Sequence, residues 1–186
     1  MPIFQMYLAL TSNPMITRKN NLNKQRVNNV MAPVQLNELE QQLKTSGAIV
    51  WHAGHQVAEQ WIEDAEKSLS LKLPHSYKWW LRQFGDGMID GSHIFTLAPP
   101  QFREDADCDL VYMHELNMTH GVADADKLYI FQPDTDECYY FDLTAYNQDT
   151  LEYPVMREDL AQETVDRFAE SFAQFLQKQM AIFKSS

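Results

Sequence analysis

Cysteine is almost absent from this chain: Cys108 and Cys138 are the only two among 186 residues. Two thiols cannot make the disulfide framework of a small secreted scaffold. A reducing compartment is expected instead, and with it a cytoplasmic location. Long apolar runs are missing too. No stretch of 18 apolar residues occurs, so no membrane-spanning helix is expected. The opening MPIFQMYLAL is mildly apolar. It has no positive charge ahead of it and no clear small-residue cleavage site, so it does not read as a secretory signal.

Several chemistries are excluded by the motifs the chain lacks. His52 and His55 are three residues apart with no glutamate beside them, unlike a zinc-protease helix. There is no C-x-x-C pair for a structural zinc. Asp105, Asp107 and Asp109 begin like a calcium loop, but position six is Leu110 and position twelve Leu116. Asp134 and Asp136 fail in the same way, with Tyr139 and Ala145 at those positions. Gly85 to Gly91 has one residue too many for a dinucleotide loop and follows a helix rather than a strand. No G-x-S-x-G nucleophile turn is present, and Asp107 and Asp109 around Cys108 should blunt a thiolate there. No cofactor, metal or catalytic residue is therefore expected.

Acidity is what the chain does have. Fifteen basic against 26 acidic residues give a net charge of −11. That opposes non-specific nucleic-acid binding, which needs lysine and arginine to neutralise phosphates, and it attracts basic partners. The charge is unevenly placed. Residues 1–30 hold Arg18, Lys19, Lys24 and Arg26, many asparagines and no acid. They read as a disordered or non-native basic tail, with Met31 as an alternative start, ahead of one domain over 31–186. Within that domain Asp86 and Asp90 follow a helix, and Glu104, Asp105, Asp107 and Asp109 crowd one loop. These six are the candidate partner-binding residues. An ordinary solvated loop surface is the competing explanation.

The rest of the domain is organised around Trp61–Gly87. Val57, Trp61, Ala65 and Leu69 share one helical face, with Ile62 beside them. Leu73-Pro74 ends that helix. Tyr77, Trp80, Leu81 and Phe84 form the apolar face of a second helix, and Gly85 and Gly87 close it in the left-handed conformation. Before this elbow, Leu36, Leu39 and Leu43 predict a short helix ended by Gly47. After it, Ser92–Leu97 alternates like a half-buried strand. Leu110–Leu116 reads as a short helix. Leu128–Phe131 and Tyr139–Phe141 read as a hairpin across Pro133, Asp134 and Asp136. The spacing of Val165, Phe168, Phe172, Phe175, Leu176 and Met180 predicts one long helix from about Glu158 to Phe183.

The elbow also carries a resemblance. Ile62, Glu66, Leu69, Leu73-Pro74, Tyr77-Lys78, Trp80-Leu81 and Phe84-Gly85-x-Gly87 resemble the signature of the SUKH superfamily. Lys127–Leu143 resembles that family's late hairpin, and Tyr153–Val155 followed by Phe168–Leu176 resembles its closing helix. The resemblance implies an α+β fold: a curved, mainly antiparallel sheet with an N-terminal helical hairpin and a C-terminal helix packed on it. It also implies a non-catalytic binding protein. The leading form is an immunity protein that neutralises a cognate protein toxin, with a basic nuclease as the kind the acidic charge fits. Neither nucleic acid nor membrane is an expected partner. An intracellular regulatory or scaffold module is one alternative, and a small hydrolase using a carboxylate pair is another.

Overall fold

The computed structural model describes residues 36–185. The expected basic tail over 1–30 lies outside them. Helix α1 (Leu36–Ser46) buries Leu39 and Leu43 and stops at Gly47, whose φ is +69°. The elbow follows as α2 (Glu59–Leu69) and α3 (His75–Gln83). Ile62 and Ala65 of α2 and Tyr77, Trp80 and Leu81 of α3 are buried, as their spacing requires. Trp61 and Leu69 lie at the edge of that core.

Polar groups of the elbow hold it from within. The Glu66 carboxylate accepts from the Leu73 N–H at 2.9 Å and pairs with Lys78 and Lys72, both at 2.9 Å. It thus satisfies the backbone at the Leu-Pro break and ties α2 to α3. The Tyr77 hydroxyl donates to the Phe95 carbonyl at 2.6 Å. The two glycines behave differently. Gly85 has φ +78°, and a Cβ there would stand 1.6 Å from the His55 carbonyl oxygen. Gly87 does not adopt positive φ; a Cβ there would sit 2.6 Å from the Trp80 ring. Its expected left-handed role is therefore corrected to one of close packing.

Beyond Gly87 the chain makes a small hairpin, β1 (Met88–Ile89) and β2 (Ser92–His93), turned by Asp90 (φ +48°) and Gly91 (φ +82°). Asp-Gly is the residue pair that a two-residue turn with both φ values positive favours. The predicted half-buried strand over Ser92–Leu97 is only partly formed. Ile94, Phe95, Thr96 and Leu97 are all buried, and they bridge to Phe131 and Asp109 rather than to one partner strand. A 3-10 helix (Pro100–Asp105) and α4 (Leu110–Thr119) come next.

The main sheet has the order β3-β4-β5-β6, every pair antiparallel: β3 (Lys127–Phe131), β4 (Glu137–Asp142), β5 (Val155–Asp159) and β6 (Thr164–Ala169). Helix α5 spans only Phe172–Phe183. The long helix from Glu158 is thus overturned: its first part is a hairpin, with Glu163 at φ +53° in the turn. Helix α5 starts where Ser171 caps it, accepting from the Gln174 N–H at 3.2 Å. Its Phe172 and Phe175 meet Tyr77, Phe141 and Tyr139 with ring centroids 4.9, 6.3 and 5.4 Å apart in T-shaped contacts. The elbow, the sheet and α5 therefore share one buried cluster. The fold is α+β, with the helical hairpin N-terminal and a helix C-terminal to the antiparallel sheet.

A buried carboxylate fixes the junction of α3 and α5. Glu152 accepts from the Ser76 N–H at 2.7 Å and the Ser76 hydroxyl at 2.9 Å, and the Ser76 oxygen accepts from the Ala173 N–H at 3.1 Å. Burial pushes Glu152 up to about 7, against the pull of the Ser76 and Phe172 hydrogen bonds.

Candidate functional site

The six candidate acids fall on three short stretches, and burial divides them. Asp86 lies in the turn after α3. Its carboxylate accepts from the His52 N–H at 3.3 Å and stands 3.4 and 3.2 Å from the Nδ1 atoms of His52 and His55. The side chain is 16% exposed, so this charge sits at the rim rather than projecting. Asp90 is exposed at the tip of the β1–β2 turn. Glu104 and Asp105 are exposed at the end of the 3-10 helix, and Asp107 is exposed just after it.

Asp109 does not belong with them. It is 0% exposed. One carboxylate oxygen accepts from the Val111 and Tyr112 N–H groups at 3.0 and 2.9 Å, capping α4, and the other accepts from the Ala98 N–H at 2.9 Å. The Arg103 guanidinium lies 3.3 Å away. Burial raises the carboxyl above its usual range, although these hydrogen bonds and Arg103 oppose the shift. Asp109 is thus corrected from a partner-binding residue to an internal one: a helix N-terminus with free N–H groups takes a carboxylate.

Thr96 joins the two acidic stretches. Its hydroxyl donates to the Gly85 carbonyl, its N–H donates to the Cys108 carbonyl at 2.9 Å, and its own carbonyl accepts from the Leu110 N–H at 2.7 Å. The Asp86 turn and the Asp107 loop are therefore fastened to one residue. The Cys108 thiol reports their proximity. Burial pushes its pKa up first, and Asp109, Asp86 and Asp107 push it further. A protonated thiol between carboxylates is a poor nucleophile.

Sequence reasoning missed Phe102. It is 56% exposed on the 3-10 helix, two residues before Glu104, so an aromatic face stands among the exposed acids. The only signal was an apolar residue just after Pro99-Pro100, outside any periodic stretch. The spacing of His52 and His55 speaks only against a zinc-protease helix and gives no sign that both rings stand beside Asp86. Among the described residues, no group of three or more His, Cys, Asp or Glu side chains is arranged to hold a metal, and no helix is long and apolar enough to cross a membrane. A shallow, open depression of about 560 Å³ at the α2–α3 elbow is lined by Glu63, Glu66, Lys67 and Lys72 among others. It carries both signs of charge and is not part of the acidic surface.

A family profile described as SMI1-KNR4 cell-wall, of the SUKH group, matches residues 59–176, more than half of the chain. No curated protein matches it.

Proposed function

The chain belongs to the SMI1-KNR4 family of the SUKH superfamily, and from that premise we propose that it works by binding another protein, without catalysis. The observation that carries this reading is where the motif residues go. Glu66 and Lys78 hold the elbow, Tyr77 holds Phe95, and Gly85 and Gly87 permit close packing. These groups are engaged inside the fold, which leaves recognition to the exposed loops.

In the finer form of the proposal the protein is an immunity protein that neutralises a bacterial toxin by direct contact, with a basic nuclease as the preferred target. Residues 31–186 act as one domain in the cytoplasm. Glu104, Asp105 and Asp107, with Asp86 and Asp90 nearby in sequence order, supply the negative face, and Phe102 supplies apolar contact. Electrostatic steering of this kind lifts association rates to roughly 10⁸–10⁹ M⁻¹s⁻¹ at low salt. The test is co-expression with the product of the neighbouring reading frame. Rescue of growth and a one-to-one complex are expected. A neighbouring product that is harmless, or toxicity unchanged by this chain, would sink the immunity reading.

The cell-wall description of the matched family favours a second reading, a regulatory interaction module. Capture of several unrelated proteins in place of one basic partner would select it. Substrate turnover by the purified chain alone would instead select a hydrolase and end both binding readings.

A further inference from the structure

The two edges of the main sheet are treated differently. The outer edge of β3 is covered: Ile94 bridges to Phe131, and the Phe95 N–H donates to the Ile130 carbonyl at 2.8 Å. Among the described residues, nothing covers the outer edge of β6 in this way. Residues 160–167 are all exposed, with Val165 at 51%. Among the described residues, no backbone hydrogen bond outside the β5–β6 ladder involves Thr164–Arg167. Only the far end is closed, where Lys178 Nζ donates to the Phe168 carbonyl at 2.5 Å and the ladder is irregular. Exposed edges are blunted by charged side chains, lysine above all, by proline or by a bulge. Thr164–Arg167 has no lysine or proline, and its two charges, Asp166 and Arg167, are of opposite sign, so they do not bar a second copy in a register that pairs them with complementary groups.

We propose that the β6 edge pairs antiparallel with the β6 edge of a second copy of this chain, centred on Val165. The sequence is self-complementary about that residue. Two positions before it stands Glu163, and two after it Arg167; one before stands Thr164, and one after Asp166. Antiparallel pairing brings each position onto its opposite number. Val165 then meets Val165 on the twofold axis, and Thr164 opposes Asp166, whose Oδ1 is held by Arg157 of its own chain at 2.9 Å and whose other oxygen is left to accept from the Thr164 hydroxyl. Arg167 of one copy, paired at 3.3 Å with Glu170 of its own chain, lies alongside Glu163 of the other and can be shared between the two carboxylates.

Neighbouring registers are worse. A twofold sheet keeps each strand's faces, so opposed residues must have the same parity and the register moves in steps that shift the axis by one residue. Moving the axis one way sets Asp166 against Asp166, and one step further sets Arg167 against Arg167. Like charges directly opposed are destabilising. Moving it the other way centres the pairing on Thr164, the first residue of β6, and would require both Gln162 and Glu163 of the turn to act as strand, whereas about Val165 only Glu163 lies in the turn and it contributes its side chain alone. The contact is short, and interfaces well below the standard size are weak and transient. A concentration-dependent dimer is therefore expected, independent of the toxin partner.

The full chain would be followed by sedimentation over a concentration series reaching millimolar. A reversible dimer is expected, and Val165→Lys, a change at an exposed site, should raise its dissociation constant by about tenfold or more. Glu163→Arg and Arg167→Glu should each weaken it, and the two together should restore it. In a Cys108→Ser background, Val165→Cys should cross-link under oxidation roughly tenfold more than Asp166→Cys or Arg167→Cys, because only the axial pair brings its Cβ atoms within disulfide reach. A monomer throughout would overturn the proposal. So would a dimer indifferent to Val165→Lys, or cross-linking equal at the three positions.

Discussion

The elbow at Glu66–Gly87 and the loop at Pro100–Asp109 are both rich in polar groups, and they use them in opposite ways. In the elbow, Glu66, Tyr77 and Lys78 point at one another or at the backbone, and the glycines remove bulk where chains touch. In the loop, Glu104, Asp105 and Asp107 face water, and only Asp109 turns in. Asp107 and Asp109 are the same residue type two positions apart. What separates them is whether a helix N-terminus lies within reach. Charge content therefore says how acidic a surface can be, and burial says which acids are on it.

The contrast is most severely tested at the glycines. Gly85→Ala should destabilise by roughly 3–5 kcal/mol or prevent folding, since it combines a left-handed backbone with a backbone clash. Gly47→Ala, at φ +69° but with nothing within 4 Å, should cost only about 1–2 kcal/mol. Equal losses in urea unfolding would show that conformation alone, and not the contact with His55, sets the need for glycine at position 85. Next comes the aspartate pair. Asp109→Ala should cost roughly 2–4 kcal/mol, because it uncaps α4 and strands Arg103. Asp107→Ala should stay within about 0.5 kcal/mol.

Acid titration sharpens the comparison further. Burial raises Glu152 to about 7 and also raises Asp109. The folded state then holds protons the unfolded chain has released, so these groups make stability fall as pH rises from the ordinary carboxylate range through about 7. Glu66 runs the other way. Burial pushes it up, but Lys72, Lys78 and the Leu73 N–H outweigh that and leave it below the usual range. Its contribution is present above its unfolded value of 4.5 and is lost as pH falls through the folded one. Denaturant unfolding of Glu152→Gln across pH should flatten the decline toward neutrality, and Glu66→Gln should remove part of the acid loss. An unchanged profile in Glu152→Gln would show that its carboxyl does not titrate differently on folding. At pH 7, Glu66→Ala should cost about 1–2 kcal/mol.

The smallest stability effect belongs to the open surface. Asp105→Lys with Asp107→Lys should leave unfolding within about 0.5 kcal/mol, yet slow association with a basic partner and reduce its salt dependence. If rate and salt slope both hold, the loop is ordinary solvated surface.

The elbow was legible because helical spacing, a Leu-Pro break and a closing glycine all point to one structure. The hairpin of β3 and β4 was legible for a similar reason, with apolar runs on either side of turn residues. The segment Val155–Ala169 was not. Its Glu, Gln, Ala, Leu and Arg favour helix, and as the outer pair of strands it shows water on both faces, so the period-2 signal is weak. Pairing with β4 overrides that local preference. A usable signal stood at Ser171 and Gln174, a serine followed three residues later by glutamine at a helix start. At the site, Asp109 before Leu110-Val111 was likewise a readable helix cap. The exposure of Phe102 had no counterpart in spacing, because only the fold decides which irregular segments face out.

Thr96 gives these observations a consequence for recognition. A single buried hydroxyl-bearing residue grips the carbonyl beside Asp86 and the carbonyl beside Asp107. The two backbone stretches that carry those charges are thereby held to each other before any visitor arrives. A protein that matches the spacing would lose little ordering entropy on docking, whereas one that misses it would have to break an internal tether to make both contacts.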